Sequence, residues 1–308
     1  MSFRLERDEP VGAALSRMAC EQVDSALTDV QNNELPSHAT VHNVRKRCKK
    51  IRAIARLFRP NKENLYQREN AFFRDIARTL SGVRDADVLI ETLDKLTNHY
   101  AGQVELNAFA EIRQFLNENK SAMSRATLDE NNRLTKTASK FCDSRDRIAG
   151  WPFDDDEIYF ILPGFKKTYR RGRNAMKRAY ASPTPDNFHE WRKRVKYHYY
   201  HTRILRDVWK PVMDARIDEA KRLSDWLGDH HDLAVFRDFL LGEGRDIKDT
   251  RALEALLGLI DRRTGELESC ARPLGQRMFA QKPKHVTNDI EVYWRAWTIE
   301  ANLTAPHA

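Results

Sequence analysis

The segment HNVRKRCKKIRAIARLF (42–58) returns as HEWRKRVKYHYYHTRIL (189–205), and this offset of 147 residues constrains the fold more than any other feature of the chain. Six positions are identical in the two copies: His42/His189, Arg45/Arg192, Lys46/Lys193, Arg47/Arg194, Lys49/Lys196 and Arg56/Arg203. All six are basic or imidazole side chains. Apolar positions match only in type, as at Val44/Trp191, Cys48/Val195 and Phe58/Leu205. The same offset lays LSGVRDADVL (80–89) over LGDHHDLAVF (227–236), with Leu80 on Leu227, Asp85 on Asp232 and Val88 on Val235. Two separated stretches in one ungapped register mark an internal repeat. Two related halves packed about a pseudo-two-fold axis are the expected outcome.

The halves are helical. Val44, Cys48, Ile51, Ala55 and Phe58 recur every three or four residues, as do Leu65, Phe72, Phe73, Ile76 and Leu80. Similar patterns cover 86–100, 104–117 and 119–147, and after the break AGWPFDDDEIYFILPGF (149–165) they return over 166–181, 187–209, 212–227, 232–241, 247–272 and 286–300. Strand-like alternation is nearly absent, so the fold class is all-α.

Charge narrows the partner. The 308 residues carry a formal net charge of +8, which favours an anion. Its distribution is more telling: 42–56 holds seven Lys or Arg and no acid, and no acid occurs between Glu157 and Asp186. That second interval contains Lys166, Lys167, Arg170, Arg171, Arg173, Lys177 and Arg178; a weaker cluster, QKPKH (281–285), holds Lys282 and Lys284. Like charges at i,i+4 cost roughly 0.2–0.5 kcal/mol per pair, so acid-free helices accumulate a penalty that a polyanion would relieve. Arg offers forked donors to phosphate and Lys a mobile point charge.

His42, Arg45, Lys49, Arg52 and Arg56 form one continuous helical stripe, and His189, Arg192, Lys196, Tyr199 and Arg203 repeat it. Each His either orients a neighbouring helix or adds a donor to phosphate. Asp85 and Asp232 are expected in structural roles, as helix N-caps or as partners that fix an arginine. DHHD (229–232) also admits a metal-dependent phosphohydrolase built on His230, His231 and Asp232; the first-half equivalent, GVRD, has no histidine. No metal site and no cofactor are expected. Nucleotide-loop, serine-hydrolase and zincin signatures are absent, so binding without catalysis is the expectation. The four cysteines form no CxxC and point to a reducing, cytoplasmic setting; no membrane-spanning segment is expected. Nucleic acid stays open as an alternative partner, although few aromatics interleave the basic clusters beyond Tyr197, Tyr199 and Tyr200.

The two H-x-x-R-K-R-x-K helices, the two turns at 80–89 and 227–236, LPGFKKTYRRGRNAMKRAY (162–180) and FAQKPKHVTNDIEVYWRAW (279–297) together resemble the CHAD domain family, helical domains with recurring histidines. The resemblance covers roughly residues 10–298. It implies two antiparallel bundles of about four helices each, spanning 10–148 and 162–298, joined by a linker at 149–161, with tails at 1–9 and 299–308. It also implies a basic central groove or channel that binds inorganic polyphosphate without catalysis, and association with polyphosphate granules. Carried over by position, the implied contacts are His42, Arg45, Lys46, Lys49, Arg52, Arg56, Lys166, Lys167, Tyr169, Arg170, Arg173, His189, Arg192, Lys193, Lys196, Arg203, Lys282 and Lys284. The first helix, ALSRMACEQVDSALTDVQ (14–31), lacks the basic run of its counterpart at 164–178.

Overall fold

In the computed structural model the described residues are 3–32, 37–80, 84–103, 105, 107–124, 128–153, 157–244 and 247–304. They form the helices α1 (Val11–Gln31), α2 (Ser37–Phe58), α3 (Glu63–Thr79), α4 (Arg84–His99), α5 (Ala110–Ser124), α6 (Leu128–Ala149), α7 (Leu162–Ala181), α8 (Pro185–Ile204), α9 (Lys210–Glu243), α10 (Thr250–Met278) and α11 (Pro283–Thr304). Short 3₁₀ turns at Ile158–Phe160 and Arg206–Trp209 lead into α7 and α9. No β-sheet is present among the described residues, and no helix there is long and apolar enough to cross a membrane.

Local chemistry sets where the second basic helix begins. Thr184 accepts a hydrogen bond from the Asn187 N–H, and Pro185 occupies the first turn, where its missing donor costs nothing. Asp249 caps α10 in the same way, accepting from the Ala252 N–H.

The repeat is visible in the packing. α1 packs on α2 and α6, while α7 packs on α8 and α11; α2 lies on α3 as α8 lies on α9. The 147-residue register places α1 with α7, α2 with α8, and α3 plus α4 with the single helix α9. This fits a pseudo-two-fold arrangement, with one correction. The segments 212–227 and 232–241, expected as two helices, are one continuous helix.

Among the described residues two hydrophobic cores form, and each draws on both halves. The first joins α1, α2 and α3 to α7, α8, α11 and the opening turns of α9, with Trp191, Phe58, Phe73 and Phe165 among its fully buried side chains. Trp151, Ile158, Phe160 and Ile161, from the segment between the halves, are buried in it too. At the N-terminus Leu5 is buried and donates its N–H to the Ile204 carbonyl at 2.9 Å. The second core sets Leu89, Leu93 and Leu96 of α4 against Leu233, Phe236 and Leu240 of α9, with α5 and α10 outside them.

The two basic helices meet directly. The His201 Nε2 of α8 lies 2.9 Å from the Ala53 carbonyl of α2, and position 201 corresponds to 54 in the repeat register. Contact between near-equivalent positions is what an axis running through this crossing requires. α7 approaches α2 closely enough that a Cβ on Gly164 would stand 1.9 Å from the Leu57 carbonyl oxygen. Backbone cannot yield there as a flexible side chain could, so only glycine fits.

Gly164→Ala is therefore expected to destabilise the protein by about 1–3 kcal/mol or more in urea titration, as overpacking does. Gly258→Ala, where the added methyl meets nothing within 4 Å on an exposed face of α10, should instead stabilise by about 0.5–1 kcal/mol. If both changes moved the midpoint equally, the close approach of α7 to α2 would be wrong.

Candidate functional site

The crossing of α2 and α8 gathers the basic stripes into two adjoining groups. In the first, Lys46 and Lys50 of α2 lie near Arg192, Lys196 and Arg203 of α8. Burial lowers the Lys196 pKa, and Arg192, Lys221 and Lys46 push it the same way against Asp225. Burial takes Lys50 down to about 8, helped by Arg47, Arg203 and Lys46 against Glu21. Aromatic faces hold what carboxylates do not: Lys196 stands 5.2 Å from the Tyr199 ring, and Arg203 lies 5.7 Å from both Tyr199 and Phe3.

The second group lies further along α2, where α3, α7 and α8 converge. Arg56 stacks at 3.8 Å on Tyr197 and at 5.7 Å on Tyr66. One guanidinium nitrogen donates to the Arg52 carbonyl at 2.7 Å, while the buried Nε has no hydrogen-bond partner. Burial lowers the Arg56 pKa to about 10; the tyrosines oppose this, and Arg52 and Arg194 add to it. Arg171 is shifted down by burial, Arg194 and Arg59, and Lys167 by burial and Arg59. A desolvated cation on an aromatic face gains about 2 kcal/mol, which explains how Arg56 is tolerated without an acid.

The groups mirror one another. Arg56 and Tyr197 touch, and their counterparts at the 147-residue offset, Arg203 and Lys50, also interact. The elements flanking them differ. α1 supplies Asp29 and Gln22 to Arg47, whereas α7, in the equivalent place, supplies Lys167 and Arg171. The cationic field is thus stronger on the second half, as the acid-poor 164–178 stretch indicates.

Several expected contacts have other duties. Tyr169 is a correction: it is 1% exposed, and its hydroxyl lies 3.2 Å from the carbonyl oxygens of Met278 and Gln281, so it is a core residue tying α7 to the end of α10. It follows Leu162 and Phe165 along the apolar stripe of α7. Arg45 donates to the Ala77 carbonyl at 2.8 Å, where a cation suits the C-terminal end of α3. Lys193 and Arg194 share Glu190. Arg52 donates to Asn70. Lys49 is half-buried beside this group; His42, Lys166, Arg170, Lys282 and Lys284 are exposed, and Arg173 is half-buried. Arg173 belongs with Arg216 beside Tyr169 rather than with α2.

Of the two structural roles expected for Asp232, the N-cap is corrected. Asp232 lies inside α9 and caps no helix; it lines a pocket with Lys95, Asp229 and Arg263. The Asp85 side chain lies outside the described residues. The DHHD histidines are separated in use: His230 meets Glu268 at 2.9 Å, and the His231 ring lies 4.0 Å from that of His189. Among the described residues no three His, Cys, Asp or Glu are grouped to hold a metal. Sequence reasoning missed Arg59 and Tyr66, because the fold alone brings Tyr66 of α3 onto Arg56 and Arg59 beside Lys167 and Arg171 of α7.

Four histidines, His189, His198 and His201 of α8 and His231 of α9, are held neutral. Burial takes His189 to about 4, aided by Lys193 and Arg192, and takes His231 to about 3, aided by His189 and Arg192. His198 falls to about 4 and His201 to about 3, again mainly through burial.

With this geometry established, comparison with known proteins is direct. The family model of the CHAD domain matches residues 21–241. The chain belongs to the CHAD domain family. The crystal structure of the CHAD domain from the plant Ricinus communis is similar over 90% of this chain and 95% of that one, with a TM-score of 0.61 and 15% sequence identity; at that identity the likeness establishes the fold. No curated protein matches the chain. The expected all-α fold class is therefore that of this CHAD chain.

The histidines give a pH prediction. Their folded pKa values lie below the ordinary 6.5, so the unfolded chain binds protons that the folded one refuses. Stability is complete above about pH 6.5 and should fall as pH drops toward 4. Thermal melts at pH 7.5 and 5 should show the decline, and His198→Phe should flatten it. An unchanged melting temperature across that range would contradict neutral burial.

Proposed function

We propose that this CHAD protein binds inorganic polyphosphate along α2 and α8 without chemically altering it. One observation carries the reading: Lys50, Arg56, Lys167, Arg171 and Lys196 are all shifted toward neutrality. Elsewhere, arginines such as Arg17, Arg145 and Arg206 are shifted the other way by bonded carboxylates. The α2–α8 site is short of negative charge, and a ligand that brings it is favoured. Family membership supports the same reading.

The form of the ligand follows from the layout. From Lys46 to Arg56 the cations run ten residues along α2, about 15 Å at the helical rise, and α7 and α8 add charges beside that line. A linear, uniformly charged chain can meet both groups together. Tyr197 and Tyr200 are buried and Tyr199 half-buried, which leaves little aromatic surface for stacking bases. Such binding would place the protein in the cytoplasm, at polyphosphate granules where these exist.

Long-chain polyphosphate should bind with an affinity that falls steeply with salt, through counterion release. Lys46→Gln, Lys49→Gln and Lys196→Gln combined should weaken binding and flatten the salt slope while leaving helix content unchanged; these lysines are chosen because Arg45 also anchors α3. Binding between pH 8 and 9 should take up protons, since a bound anion raises the lowered Lys50, and affinity should decline as pH rises through that window. Calorimetry in buffers of different ionisation enthalpy reads the uptake. Equal affinity for single- or double-stranded nucleic acid would reduce the site to a generic polyanion surface, and release of orthophosphate would show an enzyme.

A further inference from the structure

A pocket of about 450 Å³ opens on the second half, away from α2, between α7, α8, α9 and the end of α10. Its wall is mostly apolar, from Tyr169, Leu274 and Met278, and its charged members are Arg216, Arg222, Arg277 and Glu219. Glu219 is bonded to Arg222 at 2.6 Å. Arg216 and Arg277 have no ion pair among the described residues. His198 completes the floor: it is 5% exposed, enclosed by Phe165, Tyr169 and Phe279, and its Nδ1 is buried without a hydrogen-bond partner.

The repeat shows what this place lacks. Position 216 corresponds to 69 at the 147-residue offset. In the first half Glu69 is fully buried and receives Arg147 from α6 through two hydrogen bonds, at 3.0 and 3.1 Å. A buried ion pair thus fills that place between helices. In the second half the acid is replaced by Arg216. Its closest carboxylate on the pocket wall, Glu219, is engaged by another arginine. The repeat register thus sets a cation where the first half has a buried acid.

We infer that this pocket is a second, independent ligand site for a small organic anion, with one phosphate or carboxylate set between Arg216 and Arg277 and an apolar, ring-sized body against Leu274, Met278 and Tyr169. The volume falls in the range of small-molecule pockets. Inorganic phosphate would leave the apolar wall bare, and a polyphosphate chain would set charge against it. His198 offers a ring nitrogen at the floor for one directional hydrogen bond. The ligand's acid would supply to Arg216 the charge that Glu69 supplies to Arg147.

The full-length protein should be titrated calorimetrically with 1-naphthyl phosphate, 1-naphthoate, 1-naphthol and inorganic phosphate. At least one of the two naphthyl acids should bind at a single site, and comparing them identifies the preferred acid group. Naphthol and inorganic phosphate should each bind about ten-fold or more weakly, as expected for loss of a charge-assisted contact or of the apolar body. Arg216→Ala and Arg277→Ala should each weaken the bound acid about ten-fold or more. Ala215→Trp, at an exposed position on the pocket rim, should block it without affecting polyphosphate binding. The site is refuted if neither acid binds at millimolar concentration, if naphthol binds as well as the acids, if Arg216→Ala leaves affinity intact, or if polyphosphate displaces the probe competitively. The titrations with the four probes and with Arg216→Ala and Arg277→Ala do not depend on whether α2 and α8 bind polyphosphate.

Discussion

Where α2 crosses α8, an uncharged imidazole does what a charged side chain could not. His201 reaches the Ala53 carbonyl from a fully buried position, and its neutrality lets two strongly basic helices come into contact without adding another cation at the centre. Around that point the apolar stripes, with Trp191, Val195 and Ile204 on one helix and Ile51, Ile54 and Phe58 on the other, are buried together. Packing fixes the crossing, and the crossing determines which cations must be neighbours. Lys46 approaches Lys196, and Lys50 approaches Arg203, because the buried faces leave no other arrangement.

The repulsion that results is managed by aromatic rings, helix carbonyls and a few acids at the margin. Tyr197 and Tyr66 take Arg56, the Ala77 carbonyl takes Arg45, and Glu190 takes Lys193 and Arg194. Neutralisation is complete around Arg17, which has Glu9 and Glu21, and incomplete along α2 and α8. Stability and function therefore draw on the same residues in opposite senses. Each acid that would calm the site would also occupy it.

Much of this was legible in the sequence, for physical reasons. Helical periodicity located the long elements because the helices bury one stripe each. The repeat located α2 and α8 because their shared positions are polar, and polar identity at a fixed offset has few explanations in packing. The failures are equally physical. Gly228 and Asp232 read as a turn and a cap, yet α9 runs through both, since burial of its two ends against separate cores outweighs the roughly 1 kcal/mol cost of a helical glycine. Tyr169 entered as a contact through the family resemblance, while the three- and four-residue spacing from Leu162 and Phe165 placed it inside. Arg59 and Tyr66 carried no signal, because Arg59 is satisfied locally by Glu63 and only the fold brings it to Lys167 and Arg171, and Tyr66 to Arg56.

The continuity of α9 has a mechanical consequence. Its 34 residues extend about 50 Å, with Met213, Leu223 and Leu227 locked in one core and Leu233, Phe236 and Leu240 in the other. A rigid rod clamped at both ends fixes the two cores in rotation as well as in distance. Adding a single residue midway would turn everything beyond it by about 100°, so that one clamp could hold only by releasing the other. In the first half the same span is divided between the separate helices α3 and α4. The rod of the second half thus transmits any twist between the basic crossing and the far core.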